Sequence, residues 1–361
     1  MEHTNNVMDI NKILDEARAL KCSDLHFTAG LPPIVRQHGS LRKLSGYQDC
    51  TEPIIVNVIN QITSIKHKSQ ISKGLDTDFS YTSATGFRHR VNVYRQRGYH
   101  AVAIRLLSDE IPTLSDLNLP ATLGEFAMRP RGLVLVTGPT GSGKSTTLAA
   151  MIDHINRQKS CHIITVEDPI EYVHTHKQAM VNQREIGADV DSFAGSLRAA
   201  LREDPDVILV GEMRDFETIN AAVTAAETGH LVLSTLHTTG AAETINRIID
   251  VYPPHSQGQI RSQLASNIVG IISQTLVPTL DGKGRCAAME ILVRTDAVGS
   301  QIREGKIYQI PSTIATGKKE GMFTLDQDLA RLVRMGKISE DVGRERCQDP
   351  TEFRRYLEGG M

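Results

Sequence analysis

The chain has 361 residues, more than one hydrophobic core usually organises, so its length predicts two domains and allows a third small module. Its 40 Lys and Arg residues against 42 Asp and Glu residues leave a formal net charge of -2, which does not favour nonspecific nucleic-acid binding through a global positive field. Because no apolar run is long enough for a membrane span and the first six residues lack the pattern of a secretory signal, we expect a cytoplasmic protein.

The five cysteines are far apart and include no Cys-x-x-Cys pair. This pattern argues against a disulfide framework and against a four-cysteine zinc module. The chain has no tryptophan and is 4% aromatic, which argues against a stacking surface for single-stranded nucleic acid. We therefore expect no direct nucleic-acid partner.

Residues 1–107 predict a small α+β domain. Apolar residues between positions 10 and 17 have helical spacing, and residues 23–28 have the composition of a short strand. Residues 87–94 alternate side chains between two faces, and we expect residues 101–106 to pair with them as a hairpin. The predicted domain has a size well within the usual range.

Residues 108–131 predict a linker that packs against the protein. Pro112, Pro120 and Pro130 separate scattered leucines in this segment, a composition typical of an ordered connection. The predicted boundary of the first domain is at Ser108.

Residues 132–292 predict an α/β domain. Apolar strands alternate with helical stretches there, which indicates a mostly parallel sheet covered by helices on both faces. The predicted strands are 133–137, 162–166, 207–210 and 231–235, and the predicted helices are 144–158, 192–203, 215–228 and 240–250. Residues 293–361 are helical and charged in pattern and predict a C-terminal helical cap.

A glycine-rich segment between the first of these strands and the first helix fits the pattern G-x-x-x-x-G-K-[ST]. Its glycines allow backbone N–H groups to turn inward, and the following helix begins with its positive dipole end at the same place. This phosphate loop predicts polyphosphate binding, with Lys144 reaching the β- and γ-phosphates and Ser145 completing the coordination of Mg²⁺ brought by ATP. The predicted nucleotide-binding residues are Gly138, Pro139, Thr140, Gly141, Ser142, Gly143, Lys144, Ser145 and Thr146.

Two glutamates at strand ends are candidates for activating water. Glu212 follows the buried strand 207–210 and resembles the acid of a Walker B element, so it is our first candidate for water activation or metal contact. Glu167 ends the strand 162–166, and in a parallel sheet both acids converge on the ligand crevice with Lys144. Either glutamate is a candidate general base. Asp206 lies at the opposite end of its strand and is expected to be structural.

Two histidines flank the strand 231–235. His237 follows it, so a neutral imidazole there is predicted to hydrogen-bond a γ-phosphate oxygen or a carboxylate and to report the nucleotide state to the next helix. His230 precedes the strand, and its assignment to the same site is weaker. The two histidines have no third ligand at metal-binding spacing.

Several arginines are candidates for neutralising charge in the transition state, as arginines supplied by a neighbouring subunit do in other NTPases. Arg90, Arg97 and Arg105 belong to the predicted hairpin of the first domain. Arg198 and Arg202 lie one helical turn apart before the strand 207–210. Exposed arginines usually serve only to solvate a surface, so each assignment is a hypothesis.

The motifs together resemble those of the type IV pilus retraction ATPases in the secretion ATPase superfamily. Four boxes occur in the expected order, and further matches occur at residues 23–26, 30–33 and 181–185. The boxes are Walker A at Gly138–Ser145, an aspartate box at Ile164–His174, a Walker B box at Asp204–Asp215 and a histidine box at Thr224–Asp250. The resemblance spans nearly the whole chain.

The resemblance implies a PAS-like N-terminal domain, a RecA-like ATPase domain and a homohexameric ring. It also implies ATP-driven motion that acts on a pilus platform protein at the cytoplasmic face of the inner membrane, with no transmembrane span in this chain. Glu167 and Glu212 would be the key acids, His230 and His237 would belong to the histidine box, and the arginines of the first domain would face bound nucleotide.

Two features favour the retraction branch of the superfamily, and one departs from it. We expect the protein to have neither the long N-terminal region nor the four-cysteine zinc module that are usual in extension and type II secretion ATPases. The C-terminal motif Ala-Ile-Arg-Asn-Leu-Ile-Arg-Glu is present here as Ala297-Val-Gly-Ser-Gln-Ile-Arg-Glu304, with only its second half intact. Two other functions are alternatives: a secretion or DNA-transfer ATPase of the same superfamily, and a catalytically weak ring that regulates another ATPase.

Overall fold

The computed structural model describes residues 8–107 and 110–359. The predicted boundary at Ser108 and the first six residues, whose sequence lacks the pattern of a secretory signal, lie outside these ranges. Contacts divide the chain into a smaller unit, Met1–Glu110 with Pro169–Val173, and a larger unit, Ile111–Asp168 with His174–Met361. Residues 111–131, which the sequence assigned to a linker, therefore group with the larger unit.

The smaller unit is built from helices and one antiparallel sheet. In its described part the helices are α1 (Ile10–Ala19), α2 (Glu52–Ile62) and α3 (Ile65–Ser72), and the strands are β1 (Cys22–Phe27), β2 (Ile34–Gln37), β3 (Ser40–Lys43), β4 (Thr77–Thr82), β5 (Arg88–Gln96) and β6 (Tyr99–Leu106). The strand order is β3-β2-β1-β6-β5-β4. All five pairings are antiparallel.

Side-chain periodicity explains the elements of the smaller unit. Helix α1 begins after Asp9, whose carboxylate accepts the backbone N–H groups of Asn11 and Lys12, and it buries its apolar face. Strand β5 buries His89, Val91 and Val93 and turns the intervening side chains outward. The predicted hairpin therefore forms, with β5 and β6 paired over their length.

The larger unit contains the remaining described helices and strands. Its helices are α4 (Ala121–Ala127), α5 (Lys144–Gln158), α6 (Phe193–Ala200), α7 (Phe216–Glu227), α8 (Ala241–Asp250), α9 (Gln257–Asn267), α10 (Asp296–Arg303), α11 (Ile310–Thr316), α12 (Leu325–Arg334), α13 (Glu340–Arg346) and α14 (Pro350–Glu358). Its strands are β7 (Gly132–Thr137), β8 (His162–Glu167), β9 (Met180–Glu185), β10 (Val207–Val210), β11 (Leu231–Leu236), β12 (Ile268–Pro278) and β13 (Arg285–Val293).

These strands form one sheet in the order β13-β12-β7-β11-β10-β8-β9. The pairings from β12 to β9 are parallel, and β13, the outermost strand on one side, is antiparallel to β12. Every residue of β7, β10 and β11 is buried, as expected for parallel strands covered on both faces. The mostly parallel α/β arrangement predicted from the sequence is the one observed.

The two faces of the sheet pack against different helices. Leu133 and Leu135 of β7 belong to the hydrophobic cluster that includes α7, α8 and α9. Val134 and Val136 belong to the cluster that includes α4 and α5. Strand β7 therefore holds α5, the helix that follows the glycine-rich loop, against a fixed apolar surface.

Four parts of the larger unit differ from the sequence prediction. Strand β9, helix α9 and the β12–β13 hairpin are elements that the sequence does not predict. Helix α6 ends at Ala200, whereas the predicted helix extends to residue 203, because the N–H groups of Arg202 and Glu203 donate to carbonyls three residues back, at 2.9 and 2.8 Å, as in a turn. The chain then changes direction at Asp204, which has a φ of 54°. The C-terminal region is helical as expected, with α12 to α14 packed in a separate apolar cluster.

No helix within residues 8–107 and 110–359 has the length and apolar character needed to cross a membrane.

Candidate active site

The glycine-rich loop connects the end of β7 to the first turn of α5. Gly138, Gly141 and Gly143 have φ values of 139°, 78° and 87°, a region that residues with a Cβ rarely adopt. A Cβ on Gly138 would lie 2.1 Å from the backbone oxygen of Gln274. The loop conformation therefore depends on glycine and brings backbone N–H groups together at the amino end of α5, as anion sites require.

Lys144 closes over this loop and is 9% exposed. Its ammonium group donates to the carbonyl oxygens of Gly138 at 2.9 Å and Pro139 at 3.0 Å. Ser145, the next residue, is exposed beside it. The loop thus fits a polyphosphate with its metal: it offers a helix amino end, a cation that can turn to a phosphate and a hydroxyl for Mg²⁺.

The candidate side chains lie along one edge of the sheet, which we call the carboxyl edge because the parallel strands end there. The sheet order places β11 beside β7, then β10, then β8. Reading from the phosphate loop, the candidates are therefore His237, Glu212 and Glu167. With neighbouring strands about 4.8 Å apart, β10 lies about 10 Å and β8 about 14 Å from β7.

Glu212 contacts two ionisable side chains. Its Oε1 lies 2.8 Å from Nε of Arg214, and its Oε2 lies 3.6 Å from Nε2 of His237. The Glu212 side chain is 20% exposed and that of His237 is 41% exposed. The structure therefore brings together the acid and the histidine that the sequence placed in one crevice.

The backbone around Glu212 is fixed by both neighbouring strands. The N–H of Gly211 donates to Val166 O at 2.8 Å, and the N–H of Met213 donates to Thr235 O at 3.0 Å. The hydroxyl of Thr235 donates to Gly211 O at 2.6 Å. Glu212 is thus presented from a rigid turn, as a catalytic group needs to be.

Glu167 is held by polar side chains on its own and the neighbouring strand. Its Oε1 accepts the hydroxyl of Thr165 at 2.6 Å and the amide of Gln183 at 3.0 Å. Gln183 also accepts the N–H of His174 at 2.7 Å. The predicted motif at residues 181–185 therefore forms β9 and supports this acid.

His230 does not join these side chains. It lies at the amino edge, where the strands begin, and its backbone oxygen accepts the N–H of Gly132 at 3.0 Å. Its Nδ1 lies 2.9 Å from Ala225 O. Asp206 lies at the same edge, where its carboxylate accepts the N–H of His162 at 2.8 Å. The structural role expected for Asp206 agrees with this contact.

The candidate arginines are divided between the two units: Arg90, Arg97 and Arg105 belong to the smaller unit, and Arg198 and Arg202 belong to the larger unit. Arg90 pairs with Asp78, with Nε 3.2 Å from the carboxylate, and Arg105 pairs with Asp24 at 3.1 Å. Arg97 lies in the β5–β6 turn with a φ of 53°. Arg198, in α6, and Arg202, beyond its end, are both exposed. A contact between any of these arginines and nucleotide stays a prediction.

A cavity of about 790 Å³ opens beside the phosphate loop. Sequence reasoning missed it, because its walls come from distant parts of the chain: residues 115–119, Gly143, Thr146 and Thr147, strand β12, the start of β13 and the end of α12. Leu276, Leu332 and Met335 supply apolar surface, and Arg285 and Lys337 supply positive charge. Its volume is within the range of small-molecule sites.

A buried carboxylate supports the loop that carries His237. Glu290 of β13 is 6% exposed and accepts the N–H of Ala241, at the start of α8, at 2.8 Å. Ser273 accepts the preceding N–H, from Gly240, at 2.9 Å. Burial raises the pKa of Glu290, the Ala241 N–H opposes that rise, and the charge of Asp326 adds to it.

Comparison with known proteins gives one consistent result. Residues 2–318 match the family described as "Type II/IV secretion system protein". The Pseudomonas aeruginosa protein named "Type IV pilus retractation ATPase PilT" is 46% identical over 346 residues, which cover 96% of this chain and 100% of that protein. A Neisseria gonorrhoeae protein named "Twitching motility protein" is 46% identical over 339 residues, which cover 91% of this chain and 90% of that protein.

A solved structure agrees with the sequence relatives. The crystal structure of the pilus retraction motor PilT with bound ADP matches this chain with a TM-score of 0.90 and 47% identity. The match covers 96% of this chain and 99% of the crystallised chain.

Proposed function

Since this chain belongs to the Type II/IV secretion system protein family, we propose that it is an ATPase whose hydrolysis of ATP powers type IV pilus retraction. The family resemblance and the α/β fold class predicted from the sequence are confirmed by the relatives and by the matching structure. The observation that carries the proposal is the glycine cradle with Lys144, at the same sheet edge as the Glu212–His237 pair.

ATP binding uses the loop and the cavity together. The phosphates would occupy the loop, and Lys144 would exchange its contacts with Gly138 O and Pro139 O for phosphate oxygens. The nucleoside half would occupy the cavity lined by Thr146 and Leu276, which adjoins the loop. Ser145 is the residue that would hold Mg²⁺, which when bound neutralises charge on the β- and γ-phosphates.

Hydrolysis requires a water aligned with the γ-phosphate. In our proposal its oxygen forms a bond to the γ-phosphorus, the bond to the β–γ bridging oxygen breaks toward ADP, and the carboxylate of Glu212 accepts the water's proton. Glu212 is our preferred base because β10 lies one strand closer to β7 than β8 does. Glu167 remains the alternative base, with Gln183 and Thr165 holding its carboxylate in place.

His237 couples this chemistry to the rest of the larger unit. Its imidazole lies 3.6 Å from the Glu212 carboxylate, and three residues further on, Gly240 precedes the first turn of α8. A change in the charge of Glu212 or in the phosphate beside it would therefore act on α8 through His237.

The assembly and location follow from the family by analogy. We propose a homohexameric ring that acts on an inner-membrane pilus platform protein and lies at the cytoplasmic face of that membrane. The named relatives belong to pilus retraction and twitching motility, and this supports retraction over the alternatives of a secretion or DNA-transfer ATPase and of a weakly active regulatory ring.

A phosphate-release assay on the purified chain, followed by a motility test, examines the proposal. We expect steady ATP hydrolysis that is lost in Lys144→Ala, together with loss of twitching when the gene is deleted. Complementation with the wild-type gene, but not with the Lys144→Ala gene, should restore twitching. Wild-type hydrolysis no faster than that of Lys144→Ala would refute the motor, and hydrolysis stimulated by DNA with normal twitching in the deletion strain would favour DNA transfer.

A further inference from the structure

Gln274 is a buried amide that contacts the phosphate loop from a strand about 130 residues further along the chain. It is 2% exposed. Its Nε2 donates to Ser142 O at 2.7 Å, and its Oε1 accepts the hydroxyl of Thr147 at 2.9 Å. The carbonyl of Ser142 can only accept, so the amide nitrogen must face the loop and the amide oxygen must face α5.

The loop needs such a donor because of how it binds phosphate. Where successive backbone N–H groups turn toward a ligand, carbonyl groups turn toward the protein and need donors of their own. Lys144 satisfies the carbonyls of Gly138 and Pro139. The carbonyl of Ser142 is satisfied by Gln274, and this contact is itself buried.

These two sets of contacts respond differently to nucleotide. Lys144 must leave its carbonyl partners to reach a phosphate. The backbone oxygen of Gln274 is so close to Gly138 that a Cβ there would be 2.1 Å away, and Gln274 is also among the residues that line the cavity beside the loop. Both polar atoms of its amide are engaged by Ser142 and Thr147, so these contacts do not have to break when a phosphate binds.

We propose that Gln274 is a positioning residue of the nucleotide site, which fixes the second half of the phosphate loop and the first turn of α5 in the phosphate-binding conformation. The inference rests on the proposed ATPase function. It adds a role for a strand outside the four motif boxes. Few other side chains fit: asparagine is one methylene shorter, glutamate cannot donate to Ser142 O, and methionine provides neither contact.

The experiment measures ADP binding by calorimetry and the kinetics of ATP hydrolysis in the full-length chain. Gln274→Met has similar volume and no charge. We expect it to weaken ADP binding about tenfold, in line with loss of a buried hydrogen-bond pair, and to raise KM more than it lowers kcat. Gln259→Glu, at an exposed position of α9, is the surface control and should leave both quantities unchanged.

A second pair of variants covers the case in which Gln274→Met does not fold. Thr147→Val removes the hydroxyl that donates to Gln274 Oε1, and Thr147→Ser retains it. We expect Thr147→Val to weaken ADP binding about threefold and Thr147→Ser to restore wild-type affinity. A purely structural role would lower the melting temperature in Gln274→Met or Thr147→Val while ADP affinity stayed the same.

The outcomes separate the inference from the function on which it rests. If the wild-type chain bound no ADP, the proposed function would be wrong. If the wild-type chain bound ADP and either the folded Gln274→Met variant bound it equally well or Thr147→Val matched Thr147→Ser, the positioning role would be wrong and the ATPase assignment would stand.

Discussion

The two edges of the seven-stranded sheet carry similar side chains in different surroundings. At the carboxyl edge are Lys144, Glu212 and His237. At the amino edge are Lys159, Asp206 and His230, and each of these is bound to nearby backbone. Lys159 donates to Met128 O at 3.0 Å, Asp206 accepts His162 N–H at 2.8 Å, and His230 Nδ1 contacts Ala225 O at 2.9 Å.

The difference lies in what the charged groups contact. Amino-edge groups satisfy the unpaired N–H and C=O groups of strand starts and helix ends, which is a structural task. At the carboxyl edge Glu212 contacts two other ionisable side chains, and Lys144 binds carbonyls of the loop that it would leave for a phosphate. A lysine, an acid and a histidine are therefore available for chemistry at one edge only.

The lysines offer the sharpest test of this comparison. We expect Lys144→Ala to lower the rate of ATP hydrolysis by about 10³-fold, because it removes the cation that faces transition-state charge. Lys159→Ala removes a lysine at the other end of α5 that also donates to two backbone carbonyls. It should cost about 1 kcal/mol of stability and leave hydrolysis within twofold. Phosphate release and thermal melting measure the two effects, and similar rate losses in both variants would remove the distinction between the edges.

The acids come second in expected effect. Glu212→Gln should lower turnover by about 10²–10⁴-fold, because the amide cannot accept the proton of the attacking water. Its ADP affinity should stay within threefold of wild type. Asp206→Asn retains an oxygen that can accept the His162 N–H, so we expect turnover within twofold. If Glu212→Gln remained active while Glu167→Gln lost activity, the base would be Glu167.

The histidines should show a smaller contrast. His237→Ala removes the imidazole beside the Glu212 carboxylate and should slow turnover about tenfold, within the range for one polar contact at a reacting group. His230→Ala removes only contacts with Ala225 and Thr228 and should slow turnover less than threefold. Steady-state rates of ATP hydrolysis on the assembled protein measure both variants. Equal losses of turnover would contradict the contrast and would mean that His230 also contributes to catalysis.

The sequence predicts which acid and which histidine lie together at the carboxyl edge, but it does not predict the side chain that holds the phosphate loop in place. His237 directly follows strand β11 and Glu212 follows strand β10 after Gly211, so the parallel-sheet rule alone predicts both at the sheet edge that carries the phosphate loop. Gln274 is within strand β12, which the sequence does not predict, because β12 begins at Ile268 directly after helix α9 ends at Asn267, and the nearest glycine, Gly270, lies inside the strand. Its contact with Ser142 depends on the register of β12 against β7.

The cavity beside the loop is even harder to predict from the sequence, because it depends entirely on tertiary contacts. Its walls combine residues 115–119 with the end of α12, more than 200 residues apart in sequence. No local periodicity encodes that arrangement, because it results from the packing of segments that are far apart in the sequence around strands β12 and β13. His230 illustrates the opposite error: a motif grouped it with His237, although a complete strand separates them.

The smallest expected effect concerns one carboxylate at each edge that accepts a backbone N–H group: Glu290 at the carboxyl edge and Asp206 at the amino edge. Glu290 is buried, and its pKa is raised mainly by that burial, so its ionisation opposes folding. The wild-type free energy of unfolding should therefore fall as pH rises from the unfolded-state pKa of Glu, about 4.3, through the higher folded-state pKa.

Glu290→Gln should keep an acceptor for the Ala241 N–H and lose this dependence on pH. Relative to wild type, the variant should gain stability between pH 4.5 and pH 8, by about 1.4 kcal/mol for each unit by which the folded-state pKa exceeds the unfolded one. Asp206→Asn, at an exposed position of the amino edge, is the control for replacing a carboxylate with an amide. Melting temperatures across that range measure both variants. If the stability difference between Glu290→Gln and wild type stayed constant with pH, Glu290 would ionise at no cost to folding. The carboxyl edge around Glu290 would then be no less favourable for a charged carboxylate than the exposed amino edge.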